Sequence, residues 1–137
     1  MSNEIEEAQL RYLTDRILTA TPVQRLLMLF EQALSDLRSA DAAFEVGAIE
    51  PIHEHLVHAQ EIVLALHDGV AAQGWETGAK LRELYRFVHQ RLVWCNVKKD
   101  RALLPACSDI LTRLYEANLE AAGAQEVSVA RCPGDAR

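Results

Sequence analysis

Four segments of this chain carry apolar residues at steps of three and four, and this spacing constrains the fold more than any other feature. The first stripe is Val23, Leu26, Phe30, Ala33, Leu37, Ala40 and Phe44, and the second is Ile52, Leu56, Ala59, Val63, Leu66 and Val70. The third is Leu81, Leu84, Tyr85, Val88, Leu92 and Cys95, and the fourth is Leu103, Cys107, Ile110, Leu114, Ala117 and Ala121. Residues at these steps share one face of an α-helix. Four such helices with short connections predict an all-α, antiparallel up-and-down four-helix bundle.

Start and stop signals divide the chain. Thr21 can cap the first helix, Pro22 fits its first position, Gln24 completes a capping box, and Gly47 ends the helix. The predicted helices span residues 22–46, 51–72, 76–98 and 101–121, within one domain that covers residues 1–121.

The fourth helix and the two chain ends are less regular. Asp100 is a plausible cap, but Pro105 then falls past the first turn, so a kink or a delayed start is expected. Residues 1–16 predict a short, mobile segment, helical or extended. Residues 122–137 have no period and predict a disordered tail.

Composition excludes several functional classes. The chain has 137 residues and a net charge of -6, which argues against binding to nucleic acid phosphates. It contains no run of 18 apolar residues, so insertion into a membrane is not expected. The N-terminal MSNEIEEAQLRY is acidic and polar, unlike a secretory signal. These features predict a cytoplasmic protein.

Some large apolar residues fall outside the four stripes. Val57 and Leu64 are seven residues apart and lie roughly 130° from the centre of the second helix's core face. Phe87 and Trp94 have the same spacing and lie roughly 120° or more from the core face of the third helix, while Met28 lies opposite that of the first. Second apolar lines of this kind predict a groove that binds a helix or an extended segment of another protein. The alternatives are that the N-terminal segment and the tail cover these residues, or that the bundle splays and buries them.

Catalytic and metal-binding patterns are weak. The HEHLVH segment at residues 53–58 puts Val57 where a zinc protease needs its second histidine. His55 and His58 are three apart and could share one metal ion, but no carboxylate or third histidine lies in evident register with them. Three widely spaced cysteines fit neither a disulfide framework nor a four-thiolate site. We therefore expect no enzymatic activity, no cofactor and no metal.

Several blocks together resemble the FliS family of flagellar export chaperones. Tyr12 is followed by LTATP at 18–22 and LLMLFEQAL at 26–34, as at the start of that family. HLVHAQEIVLAL at 55–66 and LRELYRFVHQRLVWCNVKKD at 81–100 resemble two later family segments, in the same order and at matching separations. The resemblance covers the chain from about Tyr12 to Ala121.

The resemblance implies a function. Members of this family are non-catalytic bundles that hold the C-terminal segment of flagellin, prevent its premature polymerisation, and deliver it to the gate of the flagellar type III export apparatus. Their N-terminal segment can lie over part of the binding groove. Carried over to this sequence, Tyr12 and Ile17 belong to that cover, and Thr21 and Pro22 to its anchor.

The sequence also departs from the family pattern. Phe30 and Cys95 replace the usual Tyr and Ala and keep an apolar surface. Asn118 stands near the position of a Trp that commonly closes the fourth helix, and Pro105 is unusual; both affect the packing of that helix. The alternatives are an export adaptor for another flagellar client and a metal-binding helical bundle, and a homodimer of the free protein is left open.

Overall fold

The computed structural model describes residues 2–71 and 78–135, with side chains other than those of Ser2, 16–18 and 124–135. Within these ranges the chain forms five α-helices, one short 3₁₀ helix and no strand. The α-helices are α1 (Ser2–Thr19), α2 (Pro22–Val46), α3 (Ile49–Ala71), α4 (Ala79–Lys98) and α5 (Leu104–Asp135), and the 3₁₀ helix spans Arg101–Leu103. The predicted all-α fold is confirmed. The predicted end of the second bundle helix at 72 and start of the third at 76 lie outside the described residues.

Helices α2 to α5 form the bundle. α2 packs against α3 and α5, and α4 packs against the same two helices, so α2 and α4 lie diagonally across a four-membered ring. The core is apolar and draws on all four helices, and the first three predicted stripes supply most of it. The fourth predicted stripe is wrong in part: α5 buries Leu104, Cys107 and Leu111, Leu103, Ile110 and Leu114 are half-buried, and Ala117 and Ala121 are exposed. Its largest fully buried side chains are Tyr85, Phe30, Leu37, Leu56, Leu92, Leu111, Val63, Val88, Cys95 and Cys107. The four-helix bundle is therefore confirmed.

The predicted signals at both ends of α2 are confirmed. The Gln24 backbone N–H donates to Thr21 Oγ1 at 3.1 Å, and the Thr21 N–H donates to Gln24 Oε1 at 2.9 Å, which completes the capping box. Gly47 ends the helix with φ 68° and ψ 27°, a left-handed conformation that costs glycine little. The next helix begins two residues later.

The delayed start of the last bundle helix is also confirmed. Asp100 Oδ1 accepts a hydrogen bond from the Ala102 N–H at 3.1 Å and so caps the 3₁₀ turn, not an α-helix. α5 begins at Leu104, which places Pro105 in its first turn, where its missing N–H leaves no bond unmade. Arg101 ties this corner to α2 through ion pairs with Asp41 at 2.8 Å and Glu45 at 2.7 Å.

Helices occupy both chain ends in the described backbone, and a helix is one of the two forms predicted for the N-terminal segment. α1 is a continuous helix to Thr19, and every described side chain from Asn3 to Asp15 is exposed. The backbone of α5 is helical to Asp135, and the disorder of residues 122–137 stays a prediction. Ala, Glu and Gln are abundant between Glu116 and Glu126, and their helix propensity carries the backbone past the last core contacts.

Candidate functional site

The first candidate surface follows the seam between α3 and α4. The two helices run antiparallel: Asn96 Nδ2 donates to His53 Nδ1 at 3.0 Å near one end, and Arg86 Nε donates to His67 Nε2 at 3.3 Å near the other. Leu64 is 47% exposed beside this seam. It lines a cleft of about 130 Å³ together with Val63, His67, Tyr85, Arg86 and His89.

Val57 lies two turns before Leu64 on the same helix and is half-buried. The contact between Gln60 Nε2 and the Leu92 carbonyl oxygen, at 3.3 Å, marks the seam between these two residues. Val57 and Leu64 therefore share the outer edge of the α3–α4 seam, as their spacing predicts.

The second candidate surface lies on α4. Phe87 is 38% exposed and Trp94 is 45% exposed. Each ring carries a cation from the next turn: the Arg91 guanidinium lies 4.9 Å from the Phe87 centroid, and the Lys98 ammonium lies 4.7 Å from the Trp94 centroid. Such contacts are weakly stabilising at exposed sites. The cations lie over the rings, but both aromatic side chains remain partly exposed to solvent. We call these four residues the α4 flank.

The structure does not bring the two predicted lines together. At 100° per residue, Phe87 and Trp94 lie roughly 130° or more around α4 from His89 and Asn96, which face α3. The flank therefore lies away from the α3–α4 seam. The five predicted partner-binding residues therefore occupy separate surfaces, and their role in binding stays a prediction.

The remaining predicted residues lie on α1 and α2. Met28 is half-buried on α2, away from both surfaces described above. Tyr12 is 68% exposed, so its side chain does not cover the bundle in this structure. The side chain of Ile17 lies outside the described residues. Thr21 and Pro22 begin α2, where the capping box fixes their backbone; the roles of cover and anchor stay predictions.

A third apolar site, which the sequence did not predict, lies at the end of the bundle where α2 begins. It is an open cavity of about 460 Å³ to which α2, α3, α4 and α5 all contribute. Its lining includes Pro22, Val23, Leu26, Val70, Leu81 and Asn118. Most of these residues belong to the predicted core stripes, but no side chain of the described residues fills the space between them.

Asn118 is the sequence signal that points to this cavity. Its side-chain amide donates to the Leu114 carbonyl of its own helix at 2.7 Å, so it does not reach across the bundle. A large aromatic side chain commonly stands near this position in the family that the sequence resembles. The short side chain of Asn118 therefore lines the cavity without filling it.

Buried polar groups join α3 to its neighbours. Asp36 of α2 is buried, and its carboxylate contacts His58 Nδ1 and lies 3.5 Å from His55 Nδ1. Asn96 of α4 is also buried; its amide donates to His53, and its oxygen accepts from Lys99 Nζ at 2.6 Å. Buried polar groups are costly unless they are hydrogen-bonded, and these are. They fix the register of the helices.

The described groups offer little chemistry for catalysis. Burial raises the pKa of Cys95 to about 11 and that of Cys107 to about 12, so both thiols are protonated and unreactive near neutral pH. Within the described ranges, no cluster of three or more His, Cys, Asp or Glu residues is placed to hold a metal ion. In the same part of the chain, no helix combines the length and apolarity that a membrane span requires. What the arrangement offers is apolar surface.

Comparisons with known proteins agree with the architecture. The family described as "Flagellar protein FliS" matches residues 4–125 of this chain. The "Flagellar secretion chaperone FliS" of Bacillus subtilis (strain 168) is 29% identical over 113 residues, which cover 82% of this chain and 84% of that protein. The matched range contains the whole bundle core, both exposed apolar lines and the end cavity. The chain therefore belongs to the FliS family of flagellar proteins.

Proposed function

We propose that this protein is a cytoplasmic export chaperone that binds the C-terminal segment of flagellin, prevents its premature polymerisation, and supports its delivery to the flagellar type III export apparatus. The observation that carries the proposal is the surface position of two apolar lines on a bundle of the FliS family: Leu64, Phe87 and Trp94 are exposed, and Val57 is half-buried. The similarity to a flagellar secretion chaperone supports the same conclusion.

The spacing of the lines suits a helical client. Residues seven apart return to the same face of a helix after two turns, about 10 Å along the axis. An amphipathic helix laid along such a line meets it with its own apolar residues at matching intervals. A flagellin segment that packs through an apolar face in the filament would find a substitute surface here.

The positions of the lines favour a client that wraps around the bundle. One line borders the α3–α4 seam and the other lies on the opposite side of α4. A single straight helix cannot cover both, so a client that occupies both must combine a helix with a further helix or extended chain. Ordering such a segment costs conformational entropy, which limits net affinity and favours release at the export apparatus.

The end cavity offers a third contact. Its lining is largely apolar, and it opens beside the first turn of α2. A large apolar side chain from the client would fill space that Asn118 leaves open, at a gain of about 1.5–3 kcal/mol for a fully buried side chain. We include this cavity in the proposed client-binding surface.

The proposal is tested by co-expression with flagellin. The protein should retain full-length flagellin but not flagellin that lacks its C-terminal segment. A filament-cap protein, expressed in the same way, serves as the comparison client and distinguishes a flagellin chaperone from an adaptor for another flagellar substrate. Equal retention of flagellin with and without its C-terminal segment would contradict the proposal.

A further inference from the structure

The α4 flank combines apolar surface and positive charge in one narrow stripe. At 100° per residue, its four residues, Phe87, Arg91, Trp94 and Lys98, lie within roughly 60° of one another around α4. An aromatic residue followed by a cation one turn later occurs twice, and the second pair repeats the first after seven residues, about 10 Å along the helix axis. Rings and cations therefore alternate along one side of the helix.

The two cations of the flank have no carboxylate partner in the described part of the chain. The guanidinium of Arg91 and the ammonium of Lys98 each contact an aromatic ring, and neither forms an ion pair there. By contrast, Arg101 and Arg113 lie outside α4, and each pairs with a carboxylate. The N–H donors of both flank cations are thus available to an anionic group of another molecule.

The charge of the flank is opposite to that of the chain as a whole. The chain has a net charge of -6, whereas α4 carries five basic residues and one acidic residue. Interactions between exposed charges are largely screened beyond about 8 Å at physiological ionic strength, so the nearest cations decide which partner fits here. A partner chosen by the overall charge would be basic, but one that fits the flank must be acidic.

A helix that complements the flank needs apolar and acidic residues at matching intervals. Its apolar residues must cover the rings of Phe87 and Trp94, which are 38% and 45% exposed. Its carboxylates must lie beside that apolar line and recur after seven residues, so that one reaches Arg91 and another reaches Lys98. An apolar line with charged residues beside it is the pattern by which coiled-coil helices select their partners.

We propose that the client segment on the α4 flank is an acidic amphipathic helix whose carboxylates, seven residues apart, pair with Arg91 and Lys98. The rings supply the apolar contact, and the two cations select the helix by its charge. Arg91 and Lys98 are therefore specificity-determining residues. The inference rests on the proposed function for the identity of the client, whereas the chemistry of the helix follows from the flank alone.

Synthetic helical peptides test this charge preference. Three peptides share one line of leucines and carry glutamate, glutamine or lysine at the positions beside it. In a Trp75→Phe background, Trp94 is the single tryptophan of the full-length chain, and its emission should shift to shorter wavelength when a bound helix covers the ring. The glutamate peptide should bind about tenfold more tightly than the lysine peptide, although the net charge of the chain favours the lysine peptide.

Charge reversal of the flank should invert this order. Arg91→Glu with Lys98→Glu should weaken binding of the glutamate peptide about tenfold and strengthen binding of the lysine peptide, which also shows that the variant is folded. Arg38→Glu with Arg113→Glu changes the net charge equally at exposed positions of α2 and α5; it is the matched control and should keep the wild-type order. Equal binding of the three peptides to the wild type would overturn the proposal, as would tightest binding of the lysine peptide or an emission of Trp94 that no peptide shifts.

Retention of flagellin separates this inference from the proposed function. If the wild type retains flagellin through its C-terminal segment, the variant with both flank cations reversed should retain it about tenfold less, and the control variant as well as the wild type. Equal retention by the reversed variant would overturn the acidic helix and leave the proposed function in place. If the wild type retains no flagellin while the emission of Trp94 responds to the glutamate peptide as expected, the proposed function fails and the charge preference of the flank stands.

Discussion

The carboxylate of Asp36 in α2 contacts the imidazole of His58 in α3, and the pair forms a polar link at the edge of the apolar α2–α3 interface. His55 and Gln32 approach the same carboxylate at 3.5 Å and 3.4 Å. A buried carboxylate that loses a partner keeps its desolvation cost but not the compensating bond.

His58→Ala should therefore lower the free energy of unfolding by about 1–3 kcal/mol, measured by urea denaturation at neutral pH. Glu54→Ala, an exposed change on the same helix, is the control and should stay within about 0.5 kcal/mol of the wild type. Equal effects of the two changes would show that the contact contributes nothing.

Three glycines provide a graded test of backbone strain. Gly69 lies in α3 with open space around it, so Gly69→Ala should raise stability by about 0.5–1 kcal/mol through helix propensity. Gly47 has open space but a φ of 68°, so Gly47→Ala should cost about 1 kcal/mol. Gly78 has a φ of 76°, and an added Cβ would lie 2.5 Å from Val70 Cγ1, so Gly78→Ala should cost the most. Thermal denaturation should give the highest midpoint for Gly69→Ala, a lower one for Gly47→Ala and the lowest for Gly78→Ala. Any other order of midpoints contradicts the assigned backbone conformations.

The buried thiols should be protected from alkylation. The pKa of Cys95 is raised to about 11 and that of Cys107 to about 12, so almost no thiolate exists at pH 8. In a Cys132→Ser background, iodoacetamide at pH 8 should modify neither thiol in the folded protein within the time that denatured protein needs for complete reaction. Mass spectrometry of the native and denatured samples provides the measurement. Rapid modification of the native sample would contradict the burial of these side chains.

Stability should fall at alkaline pH. Burial raises the pKa of Tyr85 from its ordinary 10.0 to about 12, and those of both thiols from 9.0, so the folded state holds these protons more tightly than the unfolded state. The resulting stabilisation is complete below about pH 9 and is lost as the pH rises toward 12. Tyr85→Phe should reduce the loss above pH 10 without changing the behaviour between pH 7 and 9. Urea denaturation across this range, with reductant present, measures the free energy of unfolding at each pH. If the wild type and Tyr85→Phe lose this free energy equally steeply above pH 10, the tyrosine is not responsible.

The exposed apolar lines should tolerate charge in the free protein. Trp94→Asp and Leu64→Asp should weaken retention of flagellin at least tenfold, since each removes a large apolar contact worth about 1.5–3 kcal/mol. Because both side chains are nearly half exposed, the thermal midpoint should stay almost unchanged. Leu92→Asp, at a buried position of the same α4, is the control and should unfold the protein. If Trp94→Asp and Leu64→Asp also unfold it, these residues belong to the core.

Periodicity predicted the helices and the core because both depend on local spacing. Phe30, Leu56, Val88 and Leu92 are fully buried, as their stripes require. The same reasoning cannot tell which flanks of neighbouring helices meet. A helical wheel gives the angle of Trp94 from the core but not the side on which α3 or α5 lies. The two apolar lines were therefore predicted as one groove, although the ring places them on opposite sides of α4.

Two further features depend on contacts between distant parts of the chain. Asp36 lies at the edge of an apolar stripe, and its partners His55 and His58 come from the next helix, so its spacing alone resembles that of a solvated residue. The end cavity is formed by four helices, and each contributes residues that their own stripes place in the core. Only the departure at Asn118 indicated that this end of the bundle differs.

The anchoring of α5 determines how its backbone opens with time. Leu104, Cys107 and Leu111 are buried in its first turns, whereas no described side chain from Ala117 to Gly123 is. Amide hydrogens near Leu111 should therefore exchange with solvent only when the whole bundle unfolds, and those beyond Ala117 through local fraying. Exchange rates should rise steadily along this helix, so that its outer turns open and close many times within the lifetime of one folded core.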